Sequence, residues 1–126
     1  MLKHLESIML FVHDIHAASR WYADIFGAHV QYENPQYAFI RAAGMVIGFH
    51  PTDAKCPGGI GGTTAYWEVE DLDRTVAYLQ AHGAVLHRGP RRTDFGAGAA
   101  ARSMQRADAC TGYWARGRGP GRGTPR

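Results

Sequence analysis

Two side chains of this sequence are candidates for a general base because of their positions at predicted strands. His50 ends the stretch GFH, and Glu68 lies within the stretch TTAYWEVEDLD. Imidazole and carboxylate groups are common proton acceptors in active sites. Alternation along an extended strand places Glu68 on the same face as Thr64 and Tyr66. The sequence therefore offers Glu68 and His50 as candidate catalytic residues and, as an alternative, as two ligands of an atypical metal site.

Other reactive residues lack the spacing that their chemistry requires. Cys56 and Cys110 stand in no CxxC pair, so we interpret both as reduced thiols. Ser7, Ser19 and Ser103 lack the surrounding pattern of a nucleophile elbow. The stretch GGIGG follows a turn and opens a strand, whereas a phosphate-binding loop opens a helix. These patterns argue against a zinc ribbon, a serine hydrolase and a nucleotide-phosphate loop.

The composition is that of one globular domain. The chain has 126 residues, of which 45% are apolar and 20% are charged, and these values are ordinary for a compact domain. No apolar run approaches the roughly 20 residues that span a bilayer. The start of the chain, MLKHLESIMLFVHD, has no signal-peptide cleavage region. We therefore expect a cytoplasmic protein without a membrane partner.

The basic character of the chain is concentrated near its end. Residues 1–101 carry ten acidic and eight basic side chains, whereas residues 102–126 carry six arginines and one aspartate. Residues 107–126 are rich in Arg, Gly and Pro and have little to bury, so we predict that this tail is disordered. An RNA contact through the arginines, Tyr113 and Trp114 is the alternative. We expect no nucleic-acid partner.

The chain contains an internal repeat. The stretches SIMLFVHDIH and TTAYWEVEDLD share one pattern, and an offset of 57 residues pairs Ser7 with Thr64 and Asp14 with Asp71. Self-similarity at a fixed offset is the signature of a repeated supersecondary unit. The sequence therefore predicts two copies of one unit.

The first copy reads as a strand, a helix and three further strands. A doubly apolar strand covers residues 7–12, and a one-sided helix follows, with Asp14 as its N-cap and Gly27 as its stop. Three strand candidates come next, in AHVQYE, YAFIRAAG and MVIGFHP.

The second copy begins in the same way and then loses the pattern. A strand over residues 64–70 leads through the cap Asp71 into a helix over residues 72–82, and the strand AVLHR follows. One more strand is predicted around residues 100–105. No aliphatic alternation follows it, so we predict that the closing strand of the second copy is lost.

Paired βαβββ units, together with the quoted motifs, resemble the vicinal oxygen chelate superfamily, the glyoxalase, bleomycin-resistance and dioxygenase group. The stretch LFVHDIHAASRWYADIFG is similar to the family's entry strand and aromatic helix end, with Trp21 and Tyr22 in the aromatic positions. The resemblance covers about Glu6 to Gln105. It implies an α+β fold in which two βαβββ modules form a cup-shaped curved sheet, with the second module incomplete. The expected domain then spans residues 1–106, with module 1 at about 5–52, a loop at 53–62 and module 2 at about 63–106, and the disordered tail at 107–126.

The resemblance also places four metal-ligand positions on this sequence. They correspond to Ser7, to Thr64, to Ile47 or Gly48, and to a glutamate on the final strand that has no counterpart after Glu70. Hydroxyl groups are poor ligands for transition metals compared with imidazole and carboxylate. We therefore expect no metal cofactor, with a divalent metal at His50 and Glu68 as the alternative.

The resemblance finally implies a ligand-binding cup and a function. We expect its lining to comprise Ser7, Met9, Phe11, His50, Thr64, Tyr66 and Glu68. The expected function is metal-independent binding of a small molecule, such as an antibiotic or a metabolite, by a homodimer. The alternative is a glyoxalase-like lyase or isomerase, or a dioxygenase-type enzyme, with an atypical metal site.

Overall fold

The chain folds into two compact units in the computed structural model. The structure describes residues 1–59, 65–93, 96–103 and 110–116. The units are Met1–Gly59 and Ile60–Arg126, and they are called the first and the second module below. Each module contains one helix and one four-stranded sheet, which confirms the predicted α+β class and the two βαβββ units.

The first module follows the predicted order of elements. They are β1 (Ser7–Val12), α1 (Ile15–Phe26), β2 (Gln31–Asn34), β3 (Tyr37–Ala42) and β4 (Met45–Pro51). The strands lie in the order β1-β4-β3-β2. β1 is parallel to β4, and the other neighbours are antiparallel. The β1–β4 pair therefore forms one half of the sheet and the β3–β2 pair the other.

Helix α1 begins and ends where the sequence predicts. The Asp14 side chain accepts a hydrogen bond from the backbone N–H of Ala17 at 3.0 Å, as expected of an N-cap. Gly27 ends the helix with φ of 65°, in the left-handed region that glycine adopts without strain. Both predicted boundary residues of α1 are confirmed.

The core of the first module lies between α1 and one face of the sheet. Large apolar side chains of β1, β3 and β4 are buried there: Val12, Ile40, Ile47 and Phe49. The Tyr22 ring of α1 packs against Phe49 at a centroid distance of 5.6 Å. The opposite face of the sheet carries no helix, and we call it the helix-free face of the first module.

The second module repeats this plan with a complete sheet. Its elements are β5 (Ala65–Glu68), α2 (Leu72–Ala81), β6 (Ala84–Thr93), β7 (Gly96–Ser103) and β8 (Cys110–Arg116). The strands lie in the order β5-β8-β7-β6, with β5 parallel to β8. Asp71 caps α2 by accepting from the backbone N–H of Arg74 at 3.1 Å. The cap prediction is thus confirmed in the second copy as well.

Strand β8 corrects the sequence prediction of a lost closing strand. Residues 110–116 pair with β5 on one side and with β7 on the other, so the second module is not incomplete and does not end at residue 106. Tyr113 is only 4% exposed, which removes it from the surface that an RNA contact would need. This strand is stabilised by pairing on both edges rather than by an aliphatic pattern of its own. The rest of the predicted disordered tail, residues 107–109 and 117–126, lies outside the described residues.

Small side chains dominate the core of the second module. The helix side of its sheet buries Tyr113 together with the alanines Ala84, Ala97, Ala99 and Ala101. Leu72 and Leu79 of α2 are buried as well. Each buried methylene group is worth about 0.8 kcal/mol, so the buried strand residues described here gain less from burial than those of the first module.

Neither helix in the described part of the chain is long and apolar enough to cross a membrane.

Candidate functional site

The strand register brings four of the predicted ligand-binding residues onto the helix-free face of the first module. Ser7, Met9 and Phe11 of β1 lie opposite Val46, Gly48 and His50 of β4, so the six positions share one face. β3 adds residues that the sequence analysis did not single out, because Phe39 lies opposite Gly48 and Arg41 opposite Val46. Three of the four strands therefore form a grid on this face, and the residues of the third strand are Tyr37, Phe39 and Arg41. Strand β2 lies beside it, with Gln31 opposite Phe39 and Asn34 opposite Tyr37.

Stacked rings run along this face. His50 lies between Tyr37, at a centroid distance of 4.6 Å, and Phe11, at 5.7 Å. Tyr37 also stacks on Phe39 at 5.7 Å. The interplanar angles of these three pairs are 17°, 24° and 28°, so the rings are close to parallel. We call Phe11, His50, Tyr37 and Phe39 the ring row; all four side chains are half-buried.

Gly48 gives two side chains room to cross the middle of the face. A Cβ atom on Gly48 would lie 2.6 Å from the Met9 Sδ atom and 2.8 Å from Cε1 of Tyr37. These distances are too short for any larger residue without movement of Met9 and Tyr37. The floor of the face is therefore formed by a thioether and an aromatic ring, both of which make favourable contacts with apolar ligands.

Arg41 ends the ring row and borders a pocket. Its guanidinium carbon lies 5.6 Å from the centroid of the Phe39 ring, a cation–π contact. The pocket beside it has a volume of about 430 Å³. It is lined by the start of the chain and by the β3–β4 hairpin: His4, Glu6, Arg41, Ala42, Ala43, Gly44, Met45 and Val46. One end of the helix-free face is thus aromatic and the other is cationic.

The face of the second module's sheet that lies opposite α2, its helix-free face, has no comparable row of stacked rings among the described residues. The Tyr66 ring lies directly on Gly112, where a Cβ atom would overlap it, and Tyr66 is 55% exposed. The Glu68 Oε2 atom lies 3.4 Å from Arg116 Nε, and both side chains are well exposed. Glu68 is therefore engaged in a surface ion pair, and surface ion pairs of this kind are weak and easily rearranged.

The structure separates the predicted site residues into two groups. Ser7, Met9, Phe11 and His50 share a face of the first module, whereas Tyr66 and Glu68 share a face of the second. Thr64 lies outside the described residues. The binding and catalytic roles of all seven residues, and the prediction that both modules contribute to one cup, stay predictions.

The sequence analysis missed Tyr37, Phe39 and Arg41, although the sequence contains a signal for them. Ala42 lies opposite Met45, which leaves Ala43 and Gly44 as a two-residue turn with φ of 53° and 79°. A turn of two residues with positive φ fixes the register of a hairpin. Counting back from it places the β3 rings on the same face as His50.

The ligand positions of metal-dependent relatives do not fit a metal here. Ser7 offers a hydroxyl group, Gly48 has no side chain, and Ile47 is buried on the helix side of the sheet. Strand β8 has no carboxylate in its sequence, CTGYWAR. Within the described ranges no three His, Cys, Asp or Glu side chains are grouped so that they could hold a metal ion. We therefore derive no step through a metal, and metal-free binding stays a prediction.

Solved structures with the same fold include proteins of several activities. An antibiotic binding protein from Streptomyces sp. CB03234, TnmS3, has 19% identity and a TM-score of 0.73, covering 91% of this chain and 97% of its own. A fosfomycin resistance protein from Listeria monocytogenes, FosX, complexed with Mn(II) and sulfate, has 18% identity and a TM-score of 0.73, with 92% of both chains covered. Lactoylglutathione lyase from Agrobacterium tumefaciens has 17% identity and a TM-score of 0.69, covering 90% of this chain and 94% of its own. At these identities the likeness shows the fold alone.

Comparison with curated protein sequences gives no match. A family model, in contrast, matches residues 4–114, which is most of the chain and includes the first five residues of strand β8. Together with the two βαβββ modules, this match shows that the chain belongs to the Glyoxalase/Bleomycin resistance protein/Dioxygenase superfamily.

Proposed function

We propose that this protein binds a planar aromatic small molecule, such as an antibiotic or a metabolite, on the helix-free face of the first module and without a metal ion. The observation that carries the proposal is the ring row, in which four near-parallel rings lie half-buried on the face of the sheet opposite α1. Aromatic rings attract other aromatic rings by stacking and by edge contacts. Such a row is a binding surface for a flat ligand.

The chemistry of the face supports binding more strongly than it supports metal-assisted catalysis. Small-molecule sites are mostly apolar and contain a few polar groups that orient the ligand. Here the apolar part is the ring row and Met9, and the polar groups are His50, Ser7 and Arg41. The antibiotic-binding and fosfomycin-resistance proteins with the same fold lend further support to a drug or drug-like ligand.

The test is a calorimetric titration of metal-free protein with two probes, bleomycin and the uncharged planar arene 2-naphthamide. We expect saturable binding of at least one probe with one site per chain. Tyr37→Leu removes a ring from the row while keeping an apolar side chain, and it should weaken binding about fivefold, since stacking contributes about 1 kcal/mol per ring pair.

Tyr78→Leu is the matched control, because Tyr78 is an exposed tyrosine on α2 of the second module. Its removal should leave the affinity for either probe unchanged. Absence of binding by both probes, or equal losses in the two variants, would contradict the proposal.

The second candidate is a glyoxalase-like lyase or isomerase that uses His50 or Glu68 as its base. The position of His50 in the middle of the ring row favours this candidate, since a base there would contact a bound ligand. Formation of S-lactoylglutathione from the hemithioacetal of methylglyoxal and glutathione tests it. Turnover that is lost in His50→Ala would replace the binding proposal.

The remaining parts of the proposal concern assembly, location and partners. We propose a cytoplasmic homodimer without a nucleic-acid or membrane partner. Sedimentation at several protein concentrations tests the dimer, and cell fractionation tests the location. Retention on an RNA column that is lost when residues 117–126 are deleted would contradict the absence of a nucleic-acid partner.

A further inference from the structure

We propose that the ligand of the first module is a planar aromatic acid, whose ring system lies on the ring row and whose carboxylate is bound by Arg41. This inference rests on the proposed function, and it specifies the chemical class of the ligand. It is carried by the position, the charge and the surroundings of Arg41.

Arg41 is the one charged side chain among the nine positions of the β1–β4–β3 grid, which are Ser7, Met9, Phe11, Tyr37, Phe39, Arg41, Val46, Gly48 and His50. The ion pairs found in the described part of the chain, Arg92 with Asp73 and Arg116 with Glu68, both lie in the second module. Glu6 lines the same pocket as Arg41, but no ion pair joins the two within the described residues. The guanidinium charge is therefore available to an anion from outside the protein.

The contact between Arg41 and Phe39 leaves the hydrogen-bonding groups of the guanidinium accessible. The guanidinium carbon lies over the Phe39 ring at 5.6 Å, so the ring interacts with the charge, whereas the N–H donors lie at the periphery of the planar group. A planar guanidinium presents its donors in a fork that matches the two oxygens of a carboxylate. Arg41 is thus oriented by the aromatic row while it keeps its capacity for a bidentate contact.

The space beside Arg41 suits the polar end of such a ligand. The pocket of about 430 Å³ lies next to the β3–β4 hairpin, and small-ligand sites usually have volumes of about 300–1,000 Å³. Ser7 lies in the same row of the grid as Arg41, with Val46 between them, and adds a hydroxyl group at this end of the face. An aromatic acid would place its rings toward Phe39 and Tyr37 and its charge toward Arg41.

The experiment compares 2-naphthoate with 2-naphthamide, two arenes of nearly equal shape that differ in charge. We expect the wild-type protein to bind 2-naphthoate about tenfold more tightly in low salt, since hydrogen bonds to charged groups are stronger than neutral ones. Arg41→Gln should abolish this preference and leave the affinity for 2-naphthamide within about twofold. Arg41→Lys should keep a part of the preference, because it retains the charge and loses the fork.

Arg20→Gln is the matched control, because Arg20 is an exposed arginine on α1 and its loss changes the net charge equally. The preference should survive in this variant and should decrease as salt is added. Equal affinities of the wild type for both probes, or an unchanged preference in Arg41→Gln, would overturn the role of Arg41 while the proposed aromatic site stands. Failure of both probes and of bleomycin to bind would overturn both proposals.

Discussion

The two modules share one order and pairing of strands and differ in the side chains on the faces of their sheets. In each, the first strand is parallel to the last, and a glycine of the last strand lies opposite a large side chain of the first: Gly48 opposite Met9, and Gly112 opposite Tyr66. The next residue of the last strand is a buried aromatic in both modules, Phe49 in one and Tyr113 in the other. The repeat is therefore conserved where the chain packs against itself.

The helix-free faces show the difference most clearly. Three positions of the ring row have counterparts in the second module by strand register. Glu68 corresponds to Phe11, Trp114 to His50, and Gly98 to Tyr37. In the second copy an acidic residue and a glycine stand at two of these positions, where the first copy has rings. The two copies therefore share their strand plan and present different residues on these faces.

The largest expected effect is a loss of stability when a large side chain is removed from the core of the first module. Phe49→Ala should lower the free energy of unfolding by about 3–5 kcal/mol, because it leaves a cavity among large side chains that cannot close. Urea denaturation followed by tryptophan fluorescence measures it. Leu5→Ala is the control, since Leu5 is 69% exposed and should cost less than about 0.5 kcal/mol. If Tyr113→Ala lowered the free energy of unfolding more than Phe49→Ala does, the core of the second module would be the more stabilising one, contrary to our expectation.

A smaller effect should follow from filling the glycine position of the second module. A Cβ atom on Gly112 would overlap the Tyr66 ring near its root, so Gly112→Ala should cost about 1–3 kcal/mol by overpacking. The cost should nearly vanish in a Tyr66→Ala background, where the obstacle is gone. A double-mutant cycle based on denaturation midpoints measures this coupling, and additive effects would show that the two residues do not interfere.

The helix caps should behave alike in the two modules. Asp14 and Asp71 each accept a hydrogen bond from the backbone N–H three residues later, at 3.0 and 3.1 Å. Asp14→Ala and Asp71→Ala should therefore each cost about 1 kcal/mol. Asparagine at either position should retain most of the stability, because its side chain also accepts this bond. Thermal unfolding of the four variants provides the measurement. A loss of stability in only one of the two alanine variants would show that the two caps are not equivalent.

The smallest expected effect is a stabilisation of the hairpin turn in the first module. Ala43 has φ of 53° in the two-residue turn between β3 and β4, a conformation that costs an L-residue roughly 1–2 kcal/mol in left-handed helical geometry. Ala43→Asn should recover about 0.5–1 kcal/mol of this, because Asn-Gly is a favoured pair in such turns. A rise in the melting temperature is expected. Ala43→Val is the opposite control and should lower it.

Local patterns were sufficient to predict the first half of each module. The carboxylates of Asp14 and Asp71 predict helices because each can accept a hydrogen bond within one turn. The apolar run over Ser7–Val12 predicts a strand, although only Val12 of that strand is fully buried. These features depend on neighbours in sequence, so sequence reasoning reaches them.

Strand β8 and the β3 rings depend on partners that are distant in sequence. The composition of CTGYWAR resembles that of a loop, and its stability comes from β5 and β7 on either side. One signal was nevertheless present: TGYW repeats the Gly-aromatic pair of IGFH. Phe39 and Tyr37 were predicted to be in a strand, but their common face with His50 emerges only once the hairpin turn sets the register.

Strand β8 lies between β5 and β7, and this position has a consequence for biosynthesis. Among the strands that the structure describes, β5 pairs with β8 alone, just as β1 pairs with β4 alone. On a ribosome that adds about 5–20 residues per second, the first sheet can close once Pro51 has emerged, whereas β5 waits several seconds for residues 110–116. During that interval the nascent chain exposes an unpaired strand edge, the kind of surface that invites pairing with another nascent chain. A stop codon anywhere before residue 110 would make that exposure permanent.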